Sequence, residues 1–172
     1  MMREKDMGTP AVDDAALAPV LAAYALHGAQ ALGLVEASNR NDNVLVVDAT
    51  GARYMLRRCR RNPDARRVEF RVRFQQHLRR RGLPTAEVVE TRAGTLCVLA
   101  DDGFPWVLFT HVEGRAYDFG RMEQVAEAAR RLAQLHAVAE TFPGASIVVE
   151  YDPPLREWWV RCEETLRALA EL

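Results

Sequence analysis

Two strand-like runs joined by a tight turn, with a long helical pattern after them, constrain the fold of this chain more than any other feature. Val44–Asp48 and Arg53–Arg57 are rich in β-branched and aromatic side chains, which favour strands. The four residues between them include Gly51, which can adopt the positive φ that a tight turn requires. The pattern predicts an antiparallel hairpin that leads into a helix.

The helix that follows has clear signals at both ends. Asn62-Pro63-Asp64 is a typical helix start, and Gly82 is a typical stop. Between them, residues 65–81 carry apolar side chains at helical spacing. We expect the core-facing stripe to consist of Phe70, Phe74 and Leu78, widened by Val68 and Val72.

Weaker patterns complete an α+β fold. We predict a first helix over residues 17–27 and a last one over residues 121–138, whose apolar face includes Val125, Leu132 and Leu135. Further strands are predicted to begin at Val35–Ala37 and to cover residues 87–91, 95–100 and 106–112. The first 112 residues therefore indicate an antiparallel sheet of about five strands with one long helix.

The overall charge is nearly balanced, but its distribution is not. The chain has 172 residues with 23 Lys and Arg against 24 Asp and Glu, so attraction of the whole protein to nucleic acid or acidic membranes is not indicated. Between Arg53 and Arg81, however, twelve arginines face only Asp64 and Glu69. This block is a candidate phosphate-facing surface.

The three cysteines predict no metal site and no disulfide framework. They lie far apart without a Cys-x-x-Cys spacing, at positions Cys59, Cys97 and Cys162. A reduced, cytoplasmic setting is the expectation. The Ala-rich run over residues 15–35 contains Pro19, His27 and two glycines, and acidic residues precede it, so we expect a helix of a protein without a membrane span.

Several motifs, in this order, resemble the aminoglycoside phosphotransferase family, which also includes choline and homoserine kinase-like enzymes and shares the two-lobed protein-kinase architecture. The similar segments are Asn43 to Val47, Gly51 to Arg57, Glu69 in its helix, Leu78 to Pro84, Val107 to Gly114, and Leu132 to His136. The last of these, Leu-Ala-Gln-Leu-His, resembles a helix motif of the family. The resemblance covers roughly residues 34–136.

The resemblance implies a site for ATP with Mg²⁺. Arg57 at the end of its strand would bind the phosphates and Glu69 would brace its guanidinium, because rigidly held cations neutralise and position a transferred phosphoryl group. The Thr110 carbonyl and the Val112 amide would bind the adenine edge, with Phe109 behind it. Asn39 and Asn43 would contact phosphate from the polar turn over residues 38–43, which has no Gly-x-Gly-x-x-Gly pattern.

Simpler interpretations remain open for each of these residues. Arg57 could be one of many surface arginines, with Glu69 paired to Arg66 or Arg73 of its own helix. Residues 107–112 could be an ordinary core strand, and residues 38–43 an ordinary surface turn. The arginine block could be a solvated helix face or, as a weaker alternative, a nucleic-acid surface, although few aromatic side chains are available there for stacking on bases.

The resemblance also implies what this chain lacks. In the family the second lobe supplies the catalytic Asp, the metal ligands and the acceptor pocket, so we expect no catalytic residue and no metal ligand here. Asp118-Phe119-Gly120 and His27-Gly28-Ala29 look like fragments of kinase motifs but stand at the wrong places in the chain.

The expected organisation is a leader (1–12), a kinase-like nucleotide-binding lobe (13–114), and a linker with the first helices of a truncated helical lobe (115–172). The acceptor is an unknown small molecule. The alternative is a non-catalytic module that binds a nucleotide or a partner chain, or a second copy of itself, through an apolar face around Trp158, Trp159 and Leu166.

Overall fold

A computed structural model describes residues 14–38, 41–60, 63–114, 118 and 120–143. The expected leader and the apolar face around Trp158, Trp159 and Leu166 lie outside these residues. In chain order the elements are α1 (Asp14–Ala22), β1 (Gln30–Ser38), β2 (Asn41–Val47), β3 (Arg53–Arg58), α2 (Ala65–Arg80), β4 (Val88–Val89), β5 (Val98–Leu99), β6 (Pro105–Thr110) and α3 (Met122–Ala139).

The strands form one antiparallel sheet in the order β1-β2-β3-β6-β4, and β5 also pairs with β6. The predicted antiparallel sheet with one long helix is confirmed, with six strands because β4 and β5 are both short segments beside β6. The predicted hairpin is β2–β3, and Gly51 in its turn has a φ of 86°. α2 begins after Asp64, whose carboxylate accepts a hydrogen bond from the Arg66 amide (2.9 Å).

The sheet has a separate hydrophobic core on each face. On one face, Leu17 and Val20 of α1 pack with Leu56 and Trp106, together with Tyr24, Val44, Val46 and Leu108. On the other face, Val68 and Val72 of α2 pack with Val107 and Phe109. β6 is buried on both sides, which explains why its sequence is almost continuously apolar rather than alternating.

α1 ends five residues earlier than predicted. The chain leaves the helix after Ala22 because Tyr24 is fully buried, where its hydroxyl donates to the Trp106 carbonyl (3.3 Å) and its backbone forms a bridge with Thr91. Burial raises the pKa of Tyr24, so the buried hydroxyl stays protonated. A tertiary contact thus overrides the local helix signal that extends to Gly28.

The predicted core-facing stripe of α2 is wrong for its two phenylalanines. Val68, Val72 and Leu78 are the buried residues of the helix, whereas Phe70 and Phe74 are half-buried. The two phenylalanines make edge contacts with Phe142, which follows α3, at ring-centroid distances of 5.4 and 5.2 Å. They therefore join α2 to the end of α3 instead of filling the core under the sheet.

α3 has the predicted extent but buries no side chain within the described part of the chain. Leu132 on its apolar face is 54% exposed. None of the described helices has both the length and the hydropathy needed to cross a bilayer.

Candidate functional site

Arg57 lies on β3, on the sheet face that α2 covers. It is in register with Asn43 of β2 on one side and with Val107 of β6 on the other. Its Nε donates a hydrogen bond to Oδ1 of Asn43 (3.0 Å), and its guanidinium carbon lies 5.1 Å from the ring centroid of Phe109. The structure thus brings together three of the predicted site residues, Arg57, Asn43 and Phe109.

The predicted ion pair between Arg57 and Glu69 is not formed. Glu69 instead accepts a hydrogen bond from Nη2 of Arg73 (2.7 Å), and no ion pair joins Arg57 to Glu69 among the residues that the structure describes. Arg73 is one helical turn further on, so its side chain reaches Glu69 without any tertiary requirement. The simpler interpretation, that Glu69 pairs within its own helix, is confirmed for this contact.

The charges of Arg57 and Glu69 nevertheless both influence thiols that pack against the same core cluster. Burial raises the pKa of the Cys59 thiol to about 11, and the Arg57 charge partly opposes this rise. Burial also raises the pKa of Cys97, and the Glu69 carboxylate raises it further. Both thiols are free and partly buried against the core, and burial favours their protonated form.

A cavity of about 210 Å³ opens beside Arg57. Four predicted residues line it, Arg57, Phe109, Thr110 and Val112, together with Met55, Gln75, Ala86 and His111. Sequence reasoning missed Met55, although it lies two residues before Arg57 and therefore points to the same side of the strand. It also missed Gln75 and Ala86, which only the packing of α2 brings to the cavity, where Gln75 donates to the Ala86 carbonyl (2.8 Å).

The backbone after β6 has unused hydrogen-bonding groups at the cavity. The Thr110 amide donates to the Glu87 carbonyl (2.8 Å), and the Glu87 amide donates to the Thr110 hydroxyl (3.0 Å). Within the described residues, the Val112 amide donates to no acceptor, and the strand register leaves the Thr110 carbonyl without a donor. These are the two groups that the sequence assigns to the adenine edge.

The polar turn between β1 and β2 is described only in part. Asn39 and Arg40 lie outside the described residues, so the placement of Asn39 remains a prediction. Asn43 lies on β2 with its side-chain oxygen committed to Arg57.

Arg58 is a charged residue whose importance the sequence did not indicate. It is 2% exposed on the α1 face, where Nε lies 2.8 Å from an Asp102 oxygen and Nη1 lies 3.5 Å from an Asp42 oxygen. Its guanidinium also stacks on Phe104 and Trp106, at 4.6 and 5.9 Å from the ring centroids. Both carboxylates and both rings are used internally, so this cluster is structural.

The model of the phosphotransferase enzyme family (APH) matches residues 32–172. The chain belongs to this family. The match includes most of β1, all of β2 to β6, α2 and α3, and therefore every predicted site residue.

Relatives of known type support this assignment. The chain is 31% identical over 136 residues to a homoserine kinase from Methylobacterium radiotolerans, a match that covers 77% of this chain and 40% of that protein. Its structure is similar to an aminoglycoside phosphotransferase from Alicyclobacillus acidocaldarius, with a TM-score of 0.56 and 25% identity over 78% of this chain and 39% of that one.

A third similarity concerns the fold alone. The amicoumacin kinase hAmiN, solved in complex with AMP-PNP, Ca²⁺ and Ami, matches with a TM-score of 0.60 and 15% identity, over 69% of this chain and 38% of that one. This phosphotransferase-family chain therefore has the kinase-like N-lobe fold. It spans about two fifths of the length of the relatives it matches.

The metal that such kinases use has no place among the described residues. In that part of the chain no group of three or more His, Cys, Asp or Glu side chains could hold a metal ion. Asp118 is exposed, and its carboxylate accepts from the Gly120 amide (2.9 Å) in a local turn before α3. The described residues therefore do not fit a Mg²⁺ site.

Proposed function

We propose that this chain is the ATP-binding lobe of an ATP-dependent small-molecule phosphotransferase, which transfers a phosphoryl group to a hydroxyl of its acceptor. One observation carries the proposal. Arg57, with both terminal nitrogens unpaired among the described residues, lies at the same cavity as the unused Thr110 carbonyl and Val112 amide. A cation and a polar backbone edge on one cavity suit a nucleotide, whose charged phosphates and base need different partners.

In this proposal each group of the cavity has a separate task. The Thr110 carbonyl accepts from the exocyclic amine of adenine, and the Val112 amide donates to a ring nitrogen. Met55 and Phe109 provide apolar contact to the base. Arg57 binds phosphate oxygens through its planar fork, which cannot lose its proton and can form two parallel hydrogen bonds.

Glu69 and Asn39 remain proposed members of the site. Glu69 has a partner that is largely exposed, since Arg73 is 62% exposed, so the ion pair between them is weak and can be exchanged at little cost. When phosphates draw Arg57 toward the nucleotide, Glu69 would release Arg73 and brace the guanidinium. Asn39 would contact the phosphates from the turn between β1 and β2.

The proposal assigns residues 13–114 to this lobe and residues 115–172 to a linker and the first helices of the helical lobe. The catalytic base, the Mg²⁺ ligands and the acceptor pocket then belong to a second lobe. The 172 residues alone would have no kinase turnover. A cytoplasmic location is consistent with free thiols at Cys59 and Cys97.

The direct test is an NMR titration that measures binding of ATP with Mg²⁺ to the 172-residue chain. We expect saturable binding, and Arg57→Ala should weaken it about tenfold or more because a charge-assisted phosphate contact is lost. Arg66→Ala is the matched control, since this arginine is exposed on α2 away from the cavity. Absence of saturable binding, or equal affinities of the two variants, would contradict the proposal.

A coupled ADP-release assay tests the expected inactivity. With ATP, Mg²⁺ and a panel of aminoglycosides, choline and homoserine, the chain should show no turnover. Turnover that Arg57→Ala abolishes would refute the inactivity while supporting the nucleotide site.

A non-catalytic module that binds a partner chain is the second candidate, and one observation favours it. Within the described residues, α3 leaves Met122 and Leu132 exposed at 73% and 54%. Exposed apolar side chains on one helix favour association. A concentration-dependent dimer in size-exclusion chromatography, without any ATP binding, would support this candidate instead.

A further inference from the structure

Asn43 and Arg57 form one cross-strand pair of the β2–β3 ladder, on the face that α2 covers. The Nε of arginine can only donate, so the atom of Asn43 that faces it must be the amide oxygen. The 3.0 Å distance from Nε to Oδ1 is that of a well-formed hydrogen bond. The backbone ladder holds both residues in register, so this contact costs little additional ordering.

A second contact fixes the plane of the same guanidinium. Its central carbon lies 5.1 Å from the centroid of the Phe109 ring, within the range of a cation–π contact. The hydrogen bond at Nε restricts rotation of the group about its own axis, and the ring restricts its tilt. Only the terminal nitrogens Nη1 and Nη2 have no partner among the described residues, and they are the pair that binds phosphate in a bidentate manner.

We propose that Asn43 is a positioning residue for Arg57, which acts on the nucleotide by orienting the guanidinium rather than by contacting phosphate itself. This inference rests on the proposed nucleotide site. It gives a neutral amide a share of the orienting role that the sequence assigns to the carboxylate of Glu69, which would join it only when ATP binds.

The neutrality of the amide is central to this role. A carboxylate at position 43 would also accept from Nε, but it would cancel the positive charge that attracts phosphates. The neighbouring residue pair of the same ladder illustrates the difference. Asp42 lies opposite Arg58 there and forms an ion pair with it, so the Arg58 charge is neutralised inside the protein. Asn43 orients its arginine without adding a negative charge to the site.

The experiment is a double-mutant cycle on the 172-residue chain, with ATP and adenosine as separate probes. Asn43→Ala should weaken ATP binding about tenfold, the effect of a lost hydrogen bond to a charged group, and change adenosine binding less than twofold. In the Arg57→Ala background, Asn43→Ala should have no further effect on ATP. A residue that merely supports the fold would weaken both probes and would do so in both backgrounds.

Asn43→Asp separates orientation from charge. The carboxylate keeps the contact to Nε, so the urea midpoint should not fall, whereas ATP binding should weaken about tenfold because the charge of Arg57 is neutralised. Gln134→Glu adds the same charge on exposed α3 and should leave ATP binding unchanged.

The outcomes distinguish this inference from the proposed function. If the unmodified chain does not bind ATP, the nucleotide site is wrong and the inference falls with it. If it binds ATP but the losses from Asn43→Ala and Arg57→Ala add independently, or if Asn43→Asp binds ATP normally, only the positioning role is overturned.

Discussion

Arg57 and Arg58 are neighbours of the same residue type, yet β3 directs them to opposite faces of the sheet and to opposite fates. Arg58 is buried between two carboxylates and two aromatic rings on the α1 face. Arg57 is half-buried on the α2 face, held by a neutral amide at the edge of a cavity. The difference shows that the partners of a cation, more than its type, decide whether its charge is neutralised inside the fold or faces a cavity.

The largest effect should come from removing the buried arginine. Arg58→Met leaves Asp42, which is 6% exposed, with Arg60 as its one remaining ion-pair partner among the described residues, so we expect the free energy of unfolding to fall by about 3–5 kcal/mol. Arg57→Ala should change it by less than about 1 kcal/mol, since its contacts are partly solvated. Urea denaturation of the two variants measures this contrast, and similar losses would remove the distinction between the faces.

Met55 and Leu56, which precede the two arginines on β3, should show the same contrast between the faces of the sheet, with a slightly smaller effect on the free energy of unfolding. Leu56→Ala removes a fully buried side chain from the α1-side core and should cost about 3 kcal/mol. Met55→Ala enlarges the cavity on the α2 face and should cost less, because Met55 is only half-buried there. Met55→Ala should instead weaken adenosine binding severalfold in an NMR titration. A loss of stability as large as that of Leu56→Ala would place Met55 in the core rather than at the site.

The smallest effect on stability, and the sharpest test of the α2 face, concerns Glu69. Glu69→Gln removes an exposed pair with Arg73 that is worth about 0.5 kcal/mol or less. If Glu69 exchanges Arg73 for Arg57 when ATP binds, Glu69→Gln should weaken ATP binding severalfold, whereas Arg73→Ala should not. Calorimetric titration of both variants decides this, and equal effects would leave Glu69 outside the site.

The secondary structure was predictable where local chemistry dominates. The β2–β3 hairpin with Gly51, the start of α2 at Asp64 and the extent of α3 follow from turn propensity, capping and periodicity, and the structure confirms them. The family resemblance, drawn from motifs between residues 34 and 136, is confirmed by the family match and by the relatives.

The predictions that failed depended on distant contacts. α1 ends early because Tyr24 packs on Trp106, and Phe70 and Phe74 turn to Phe142 rather than to the sheet. Arg57 contacts Asn43 and not Glu69, a difference that the sequence did not indicate because several polar residues of this region could reach the guanidinium. Periodicity indicates which face a side chain occupies, but it does not indicate which of several polar neighbours is nearest.

By itself the sequence determined the order of strands and helices, the family, and the grouping of Arg57, Phe109, Thr110 and Val112 at one cavity, because these depend on local patterns and on motif order. Only the tertiary structure decided that Asn43 holds Arg57, that Glu69 pairs with Arg73, and that Arg58 is consumed in the core. The physical reason is that hydrogen bonds and ion pairs depend on distances of a few ångströms, and strand register and helix packing set those distances.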